Sequence, residues 1–248
     1  MAKPFLILQL RPEDEASDDE LAAFMKFGGL KPSEVRRIRM EQQPMPDIDL
    51  ADYAGVIIGG GPSNVSDDEA AKSPAQRRFE SELRSLLTEV IERDFPLLGA
   101  CYGLGILAIH LGGTVSKEKY SEEVGAITIK LTADAQNDPL TTGLPPSFRA
   151  FAGHKEACQD LPPGAALLAG SETCPIQMIR VKKNIYATQF HTELDQAGLA
   201  LRINIYKDAG YFPPQDADKL IEAARAETVT VPEIMLRRFV ERGRHLNP

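Results

Sequence analysis

The chain has few cysteines, and its 248 residues contain no long apolar run. Cys101, Cys158 and Cys174 form an odd, sparse set, which excludes a disulfide framework and a paired zinc motif. We therefore expect a reducing cytoplasmic compartment, no metal and no other cofactor. No stretch approaches the roughly 18 apolar residues of a membrane span. The run from Phe5 to Leu8 is too short for a signal-peptide core.

The chain also has fewer basic than acidic residues, 28 against 36, which gives a net charge of -8. Nucleic acids and anionic membranes recruit lysine and arginine, so we expect neither as a partner. Hydrophobic residues make up 43% of the chain, which is enough for a packed core. The length allows one large α/β domain or two small ones.

Short apolar runs alternate with helical patterns in the first half of the chain, which predicts a parallel sheet covered on both faces. The predicted strands there are Phe5–Leu10, Glu34–Met40 at an edge, Ala54–Ile58 and Phe95–Leu98. The predicted helices are Asp18–Phe27, Pro74–Arg93 and a buried helix directly after Cys101.

The middle of the chain contains strand patterns without long helices between them, which favours antiparallel pairing. These predicted strands are Val124–Leu131, Phe148–Phe151, Ala165–Ala169, Ile176–Val181 and Ile185–Phe190. From Asp195 onward the pattern becomes helical again.

One candidate nucleophile stands out, in the sequence Gly99-Ala100-Cys101-Tyr102-Gly103 between a predicted strand and a predicted helix. This layout is typical of a nucleophile elbow, a sharp turn whose small neighbours expose the central side chain. The N-terminus of the helix would favour a thiolate at Cys101. A packed core cysteine is the alternative, because free cysteine is often buried.

A candidate base and acid occur in Gln189-Phe190-His191-Thr192-Glu193, after another predicted strand. Because alternate residues of a strand face the same side, His191 and Glu193 can lie together. A thiol nucleophile needs a base, and the base benefits from an acid that fixes its tautomer. A surface histidine beside a solvated glutamate is the alternative.

Two glycine-rich segments are weaker signals. Gly59–Ser63 follows a buried strand, and its glycines would let backbone N–H groups approach an anionic oxygen, although an ordinary tight turn has the same composition. Residues 103–108 fit the loose dinucleotide fingerprint G-x-G-x-x-A. Those glycines lie inside the predicted helix and not in the turn before it, so a dinucleotide site is disfavoured.

Taken together, three blocks in order resemble the class I glutamine amidotransferase family: Gly60-Gly61-Pro62, Cys101-Tyr102-Gly103 and Gln189 to Glu193. The strongest similarity is to stand-alone domains related to the amidotransferase part of GMP synthase. The resemblance implies an α/β fold, a three-layer α/β/α sandwich with a mostly parallel central sheet, some antiparallel strands and a helical C-terminal extension. We expect residues 1–195 to form the amidotransferase-like domain and residues 196–248 to form the extension, packed on the same domain.

The resemblance also implies the chemistry of the site. Cys101 would attack the side-chain amide of glutamine, form a γ-glutamyl thioester and release ammonia. His191 would carry the proton, and Glu193 would orient His191. The backbone N–H groups of Gly61 and Tyr102 would form the oxyanion hole.

Gly60, Ser63 and His154 occupy segments that lie near the substrate in relatives, so the resemblance implies that they bind it. The expected partner is a small-molecule substrate, glutamine or a γ-glutamyl compound, and a separate synthase protein is a possible recipient of ammonia. Two alternatives stay open. One is a γ-glutamyl peptidase or hydrolase with the same three residues, and the other is a non-catalytic binding or regulatory domain, against which the intact Cys, His and Glu argue.

The sequence departs from the family pattern at two positions near the candidate residues. Leu104-Gly105 replaces the usual His-Gln after the elbow, and Thr192 replaces the usual Pro between His and Glu. Because Gly105 cannot hold the amino-acid end of a substrate, we expect free glutamine to bind weakly unless another residue compensates. A Gly105→Gln substitution is expected to tighten glutamine binding if the helix tolerates it.

Overall fold

The computed structural model describes residues 3–247. Its strands are β1 (Phe5–Gln9), β2 (Val35–Arg39), β3 (Gly55–Ile58), β4 (Leu97–Ala100), β5 (Val115–Ser116), β6 (Glu122–Leu131), β7 (Ser147–His154), β8 (Ala157–Cys158), β9 (Ala165–Gly170), β10 (Met178–Val181) and β11 (Ile185–Thr188). Its α-helices are α1 (Asp14–Gly28), α2 (Pro74–Arg93), α3 (Tyr102–His110), α4 (Gln196–Tyr206), α5 (Ala217–Ala226) and α6 (Val231–Leu246).

A nine-stranded sheet in the order β2-β1-β3-β4-β11-β10-β9-β6-β7 forms the centre of the molecule. The strands from β2 to β11 in this order pair in parallel. The strands from β11 to β7 pair antiparallel. The predicted division into a parallel first half and an antiparallel middle is therefore confirmed, and β2 lies at the sheet edge as expected.

Helices cover both faces of this sheet. Along β1, Leu6 and Leu8 pack with residues of α2 and α3, whereas Phe5 and Ile7 pack with residues of α1 and α6. This alternation follows from the two-residue period of a strand, and it explains why the central strands are apolar on both sides. The predicted three-layer sandwich is confirmed.

The long helix α2 has the bounds that the sequence predicts, because its ends carry strong local signals. The side chain of Ser73 accepts a hydrogen bond from the Gln76 N–H, and Pro74 takes the first helical position. The helix ends at Asp94, which has a left-handed conformation with φ of 49°.

The C-terminal helices are built onto the sheet in two places. The helices α4 and α5 pack on Phe151 of β7 in a third apolar cluster that includes Leu199, Ile203 and Ile221. The helix α6 packs beside α1 and contacts β3 and β7. Among residues 3–247, no helix has the length and apolar character required to cross a bilayer.

Candidate active site

Cys101 lies at a sharp turn between two elements. The strand β4 ends at Ala100 and α3 begins at Tyr102, so the predicted strand-turn-helix layout is present. Cys101 has φ of 53° and ψ of -96°, a strained conformation for a residue with a side chain. Its N–H donates to the Thr188 carbonyl at 2.7 Å, which anchors the turn to the end of β11.

The three cysteines differ in their surroundings. Cys101 is partly exposed, whereas Cys158 and Cys174 are buried. Burial raises the pKa of the Cys101 thiol to about 11. Burial also raises the pKa values of Cys158 and Cys174 to about 12. The raised pKa opposes the thiolate that the helix N-terminus was expected to favour, so Cys101 needs a base to become a nucleophile.

His191 and Glu193 form a buried hydrogen-bonded pair, with 2.7 Å between His191 Nδ1 and Glu193 Oε1. The reason that the sequence suggested for this pairing is wrong, because β11 ends at Thr188 and both residues lie in the irregular segment after it. The backbone there is held by a bond from Thr188 Oγ1 to the Phe190 carbonyl at 2.7 Å. It is also held by a bond from the His191 N–H to the Phe151 carbonyl at 3.0 Å.

The hydrogen bond determines the tautomer of His191. An ionised carboxylate only accepts, so Nδ1 of His191 carries the hydrogen and Nε2 keeps its lone pair. Burial lowers the pKa of His191, although the charge of Glu193 opposes this shift. Burial by itself would raise the pKa of Glu193, but His191 and Arg202 hold it below its ordinary value. The pair is therefore a neutral imidazole beside a carboxylate.

Gly60 lies beside both Cys101 and His191. A Cβ atom at Gly60 would be 2.7 Å from Cε1 of His191 and 3.5 Å from Cβ of Cys101. Only glycine allows both side chains to approach the backbone this closely. The structure thus brings together the three sequence blocks, which are separated along the chain.

Two pockets open beside Cys101. The first, which we name the polar pocket, is lined by Gly61, Ser63, Asn64, Cys101, Tyr102, Gly105, Val115, His154, Lys155, Glu156, Gln189 and Tyr211. The second, which we name the apolar pocket, is lined by Arg11, Gly61, Cys101, Val124, Ala152, Gly153, His191, Leu194, Leu199, Arg202, Ile203, Tyr206, Tyr211 and Phe212.

The predicted substrate residues take different positions. Ser63 lines the polar pocket, and Gly60 lies beside Cys101 and His191. His154 also lines the polar pocket, but both of its ring nitrogens have protein partners at 2.9 Å, Glu122 Oε2 and the Glu156 carbonyl. His154 therefore holds the Lys155–Glu156 segment in place, and its ring is already satisfied without a substrate.

The predicted oxyanion residues lie beside Cys101. Gly61 lines both pockets, and a Cβ atom there would be 2.8 Å from the Leu10 carbonyl oxygen. Tyr102 is the first residue of α3, where a backbone N–H has no acceptor within the helix. Its hydroxyl donates to Glu80 Oε1 at 2.6 Å, which fixes the start of the helix.

Sequence reasoning missed the charged side chains behind the His191–Glu193 pair. Arg202 Nη2 of α4 lies 3.1 Å from Glu193 Oε1, and Arg11 Nε lies 2.8 Å from Glu20 Oε1. Arg202 also approaches Glu20 Oε1 at 3.8 Å. We name Arg11, Glu20, Glu193 and Arg202 the buried charge cluster, since the side chain of each is at most 6% exposed. Two positive and two negative charges balance in it.

The position of Arg202 in α4 could have been noticed. Leu199, Arg202, Ile203 and Tyr206 follow the i, i+3, i+4, i+7 spacing of one helix face, and three of them are apolar or aromatic. A charged residue on such a face points to a buried partner. Its other nitrogen, Nη1, lies 3.2 Å from Nδ1 of His191. Because that Nδ1–H already donates to Glu193, this is a close approach of positive charge to the imidazole.

The sequence profile of the family "Glutamine amidotransferase class-I" matches residues 24–198. The chain belongs to this family.

Relatives of this amidotransferase include two kinds of GMP synthase protein. The glutamine-hydrolyzing GMP synthase of Thermomicrobium roseum is 30% identical over 176 residues, which cover 70% of this chain and 30% of that protein. In Thermoplasma volcanium the relative is one subunit of a glutamine-hydrolyzing GMP synthase. It is 30% identical over 192 residues, which cover 75% of this chain and 87% of that subunit. The match thus spans about a third of the longer enzyme and most of the separate subunit.

A solved structure extends the similarity of fold beyond the residues that the family model matches. A glutamine amidotransferase from Thermotoga maritima superposes with a TM-score of 0.77 and 22% identity, covering 98% of this chain and 99% of that one. The family match ends at residue 198. Arg202, and the pocket-lining residues from Leu199 to Phe212, therefore lie beyond the residues that the family model matches.

Proposed function

We propose that this amidotransferase hydrolyses the side-chain amide of glutamine through a γ-glutamyl thioester on Cys101, and that the ammonia goes to an acceptor or to a separate synthase. One observation carries the proposal: Cys101 and His191 approach the same glycine, Gly60, while Glu193 binds the far nitrogen of His191. The glutamine-hydrolyzing relatives support it, and the relative that is a separate subunit supports a synthase partner. The cytoplasmic location stays a prediction.

The first half-reaction forms the thioester. His191 Nε2 takes the thiol proton as Cys101 Sγ attacks the amide carbon of glutamine. The backbone N–H groups of Gly61 and Tyr102 stabilise the resulting oxyanion. His191 then gives the proton to the amide nitrogen, the C–N bond breaks, and ammonia leaves. Because the thiol has a raised pKa and the imidazole a lowered one, proton transfer accompanies attack from a neutral resting pair.

The second half-reaction restores the enzyme. Water enters the place that ammonia has left, gives a proton to His191 Nε2 and attacks the thioester carbonyl. The C–S bond breaks, His191 returns the proton to Cys101 Sγ, and glutamate leaves. Throughout both steps Glu193 keeps the Nδ1–H tautomer of His191 and balances the charge of the imidazolium that forms.

The amino-acid end of glutamine is assigned to the polar pocket. Glu156 Oε1 lies 3.7 Å from the position that a Cβ atom at Gly105 would take. The two Glu156 oxygens each accept a backbone N–H at 2.8 Å, from Val65 and from Ser66, so the carboxylate is rigidly placed. We assign the α-ammonium of the substrate to Glu156 and the α-carboxylate to Lys155. Glu156 is thus the residue that compensates for the missing glutamine side chain at Gly105.

Ammonia release from glutamine tests the proposal. Wild type should release ammonia and glutamate in equal amounts, and Cys101→Ala should release neither, since the nucleophile is gone. Cys158→Ser is the matched control, because it changes a buried cysteine outside both pockets and should keep the activity. Mass spectrometry of wild type trapped with a glutamine-derived alkylating agent should place the adduct on Cys101. A Cys101→Ala protein that released ammonia at the wild-type rate would refute the mechanism.

A further inference from the structure

The two pockets meet at Cys101 but offer different chemistry. Both are lined by Cys101 and Gly61. The polar pocket carries Lys155 and Glu156, which suit the two charged groups of a glutamyl moiety. The other pocket instead contains His191. A substrate whose reacting carbon lies at Cys101 therefore has its glutamyl half on one side and its leaving group on the other.

The leaving group belongs to the side that contains His191. In the proposed reaction His191 gives its proton to the departing nitrogen, so that nitrogen must come within hydrogen-bond reach of Nε2. Any group attached to the nitrogen then projects into the apolar pocket, which His191 lines. For glutamine itself no such group exists, because the nitrogen leaves as ammonia.

The apolar pocket is larger than ammonia requires. Ammonia is similar in size to water, and one water needs about 10–15 Å³ of space in which its centre can lie. The pocket offers about 50 Å³ of such space, which is room for several heavy atoms attached to the departing nitrogen. Its apolar lining includes Leu199, Ile203 and Phe212, which lie beyond the family match, and Val124 and Ala152 of the sheet.

The charged side chains of this pocket do not recruit an ionic ligand. Arg11 pairs with Glu20 at 2.8 Å, and Arg202 pairs with Glu193 at 3.1 Å. These four charges cancel, and each guanidinium already has its carboxylate. The pocket therefore selects by apolar surface, which favours a neutral aliphatic or aromatic substituent.

We propose that this amidotransferase cleaves N-substituted γ-glutamyl amides whose amine carries a neutral apolar group, and that the apolar pocket holds that group. This inference rests on the proposed function and names its substrate class. The C–N bond breaks as before, the amine leaves with the proton from His191, and water converts the thioester to glutamate. Because Leu199, Ile203 and Phe212 lie beyond the family match, the selectivity comes from the extension of this chain.

Glutamate release from a substrate series tests the inference with the full chain. The series is glutamine and the γ-glutamyl amides of methylamine, 3-methylbutylamine and 1,2-diaminoethane. The two alkylamines have similar basicity, so their comparison reports binding of the alkyl group and not leaving-group chemistry. Burying a side chain of this size should raise kcat/KM for the 3-methylbutyl amide about ten- to a hundredfold above the methyl amide.

A matched pair of variants locates the subsite. Ile203→Ala and Ile221→Ala remove the same atoms from the same apolar cluster, but only Ile203 lines the pocket. Ile203→Ala enlarges the pocket, so it should raise the ratio of kcat/KM for a bulkier 2-cyclohexylethyl amide to that for the 3-methylbutyl amide. Ile221→Ala should leave this ratio at the wild-type value.

The outcomes separate this inference from the proposed function. Cleavage of glutamine and the methyl amide with no gain for the 3-methylbutyl amide overturns the inference and leaves the proposed function standing. A preference for the cationic aminoethyl amide overturns it as well. If both alanine variants change the ratio equally, the apolar pocket is not the subsite. Failure to cleave any of the four compounds overturns the proposed function and the inference together.

Discussion

Two substitutions, made singly and together, test whether the buried charge cluster stabilises the protein through charge balance. Glu193→Gln removes one negative charge and leaves Arg202 with only the shared Glu20 at 3.8 Å. Arg202→Met removes one positive charge and leaves Glu193 buried beside a neutral His191. The double variant removes both charges, and the Arg11–Glu20 pair at 2.8 Å remains balanced.

The expected size of the effect follows from burial. Breaking a buried ion pair by removing one partner costs about 3–5 kcal/mol, because the other charge is left without compensation. In a domain of this size about 1 kcal/mol changes the Tm by about 2–4 °C, so each single variant should melt about 6–20 °C lower. Replacing a whole buried pair by neutral groups is often close to neutral. The double variant should therefore melt higher than either single variant.

Thermal melting followed by circular dichroism at pH 7 measures these differences. Arg149 and Glu227 provide the matched control, since their pair has side chains that are 37% and 29% exposed. The corresponding substitutions there, Arg149→Met and Glu227→Gln, should each change stability by less than about 1 kcal/mol. If the Tm losses of Glu193→Gln and Arg202→Met simply add in the double variant, charge balance does not stabilise the buried charge cluster.

Three further predictions concern catalysis. Burial lowers the pKa of His191, and the neutral imidazole is the base. The rate of ammonia release should therefore stay on its plateau as the pH falls through 6.5 and decline only in more acidic solution. A half-maximal rate at a pH above 7 would contradict this prediction. Gly60→Ala should reduce kcat about a hundredfold or more, because the new Cβ would lie 2.7 Å from His191 Cε1 and displace the imidazole ring. Its circular dichroism spectrum should be unchanged, and a wild-type kcat would show that the ring is not held at that position. Gly105→Gln should raise the KM for glutamine, because its Cβ would lie 2.9 Å from Val65 Cγ1; this reverses the expectation from sequence, and a lowered KM would restore it.

Much of the fold was predictable because it depends on neighbours in sequence. The apolar runs of β1, β3 and β4 and the capping of α2 are local signals, and the structure has elements at those places. The turn at Cys101 is also local, since a Cβ atom at Gly99 would be 2.8 Å from the Gly103 carbonyl carbon. The order of the three sequence blocks was enough to indicate the family.

The sequence by itself identified the candidate nucleophile, base and acid, because each stands in a short motif at the end of a predicted strand. Tertiary structure decided how they meet. His191 and Glu193 lie together because the segment after β11 is held by Phe151 and Thr188, and not because of strand alternation. The contact from Arg202 depends on α4 folding back across the site.

The two pockets likewise depend on tertiary structure alone. Glu156 reaches the space beside Gly105 from a segment about fifty residues further along the chain, and the N–H groups of Val65 and Ser66 hold its carboxylate there. The apolar pocket exists because α4 packs on the antiparallel part of the sheet, where Leu199 and Ile203 come together with Val124 and Ala152. Periodicity shows that such residues are buried, but which distant surface they contact is decided by how the layers pack.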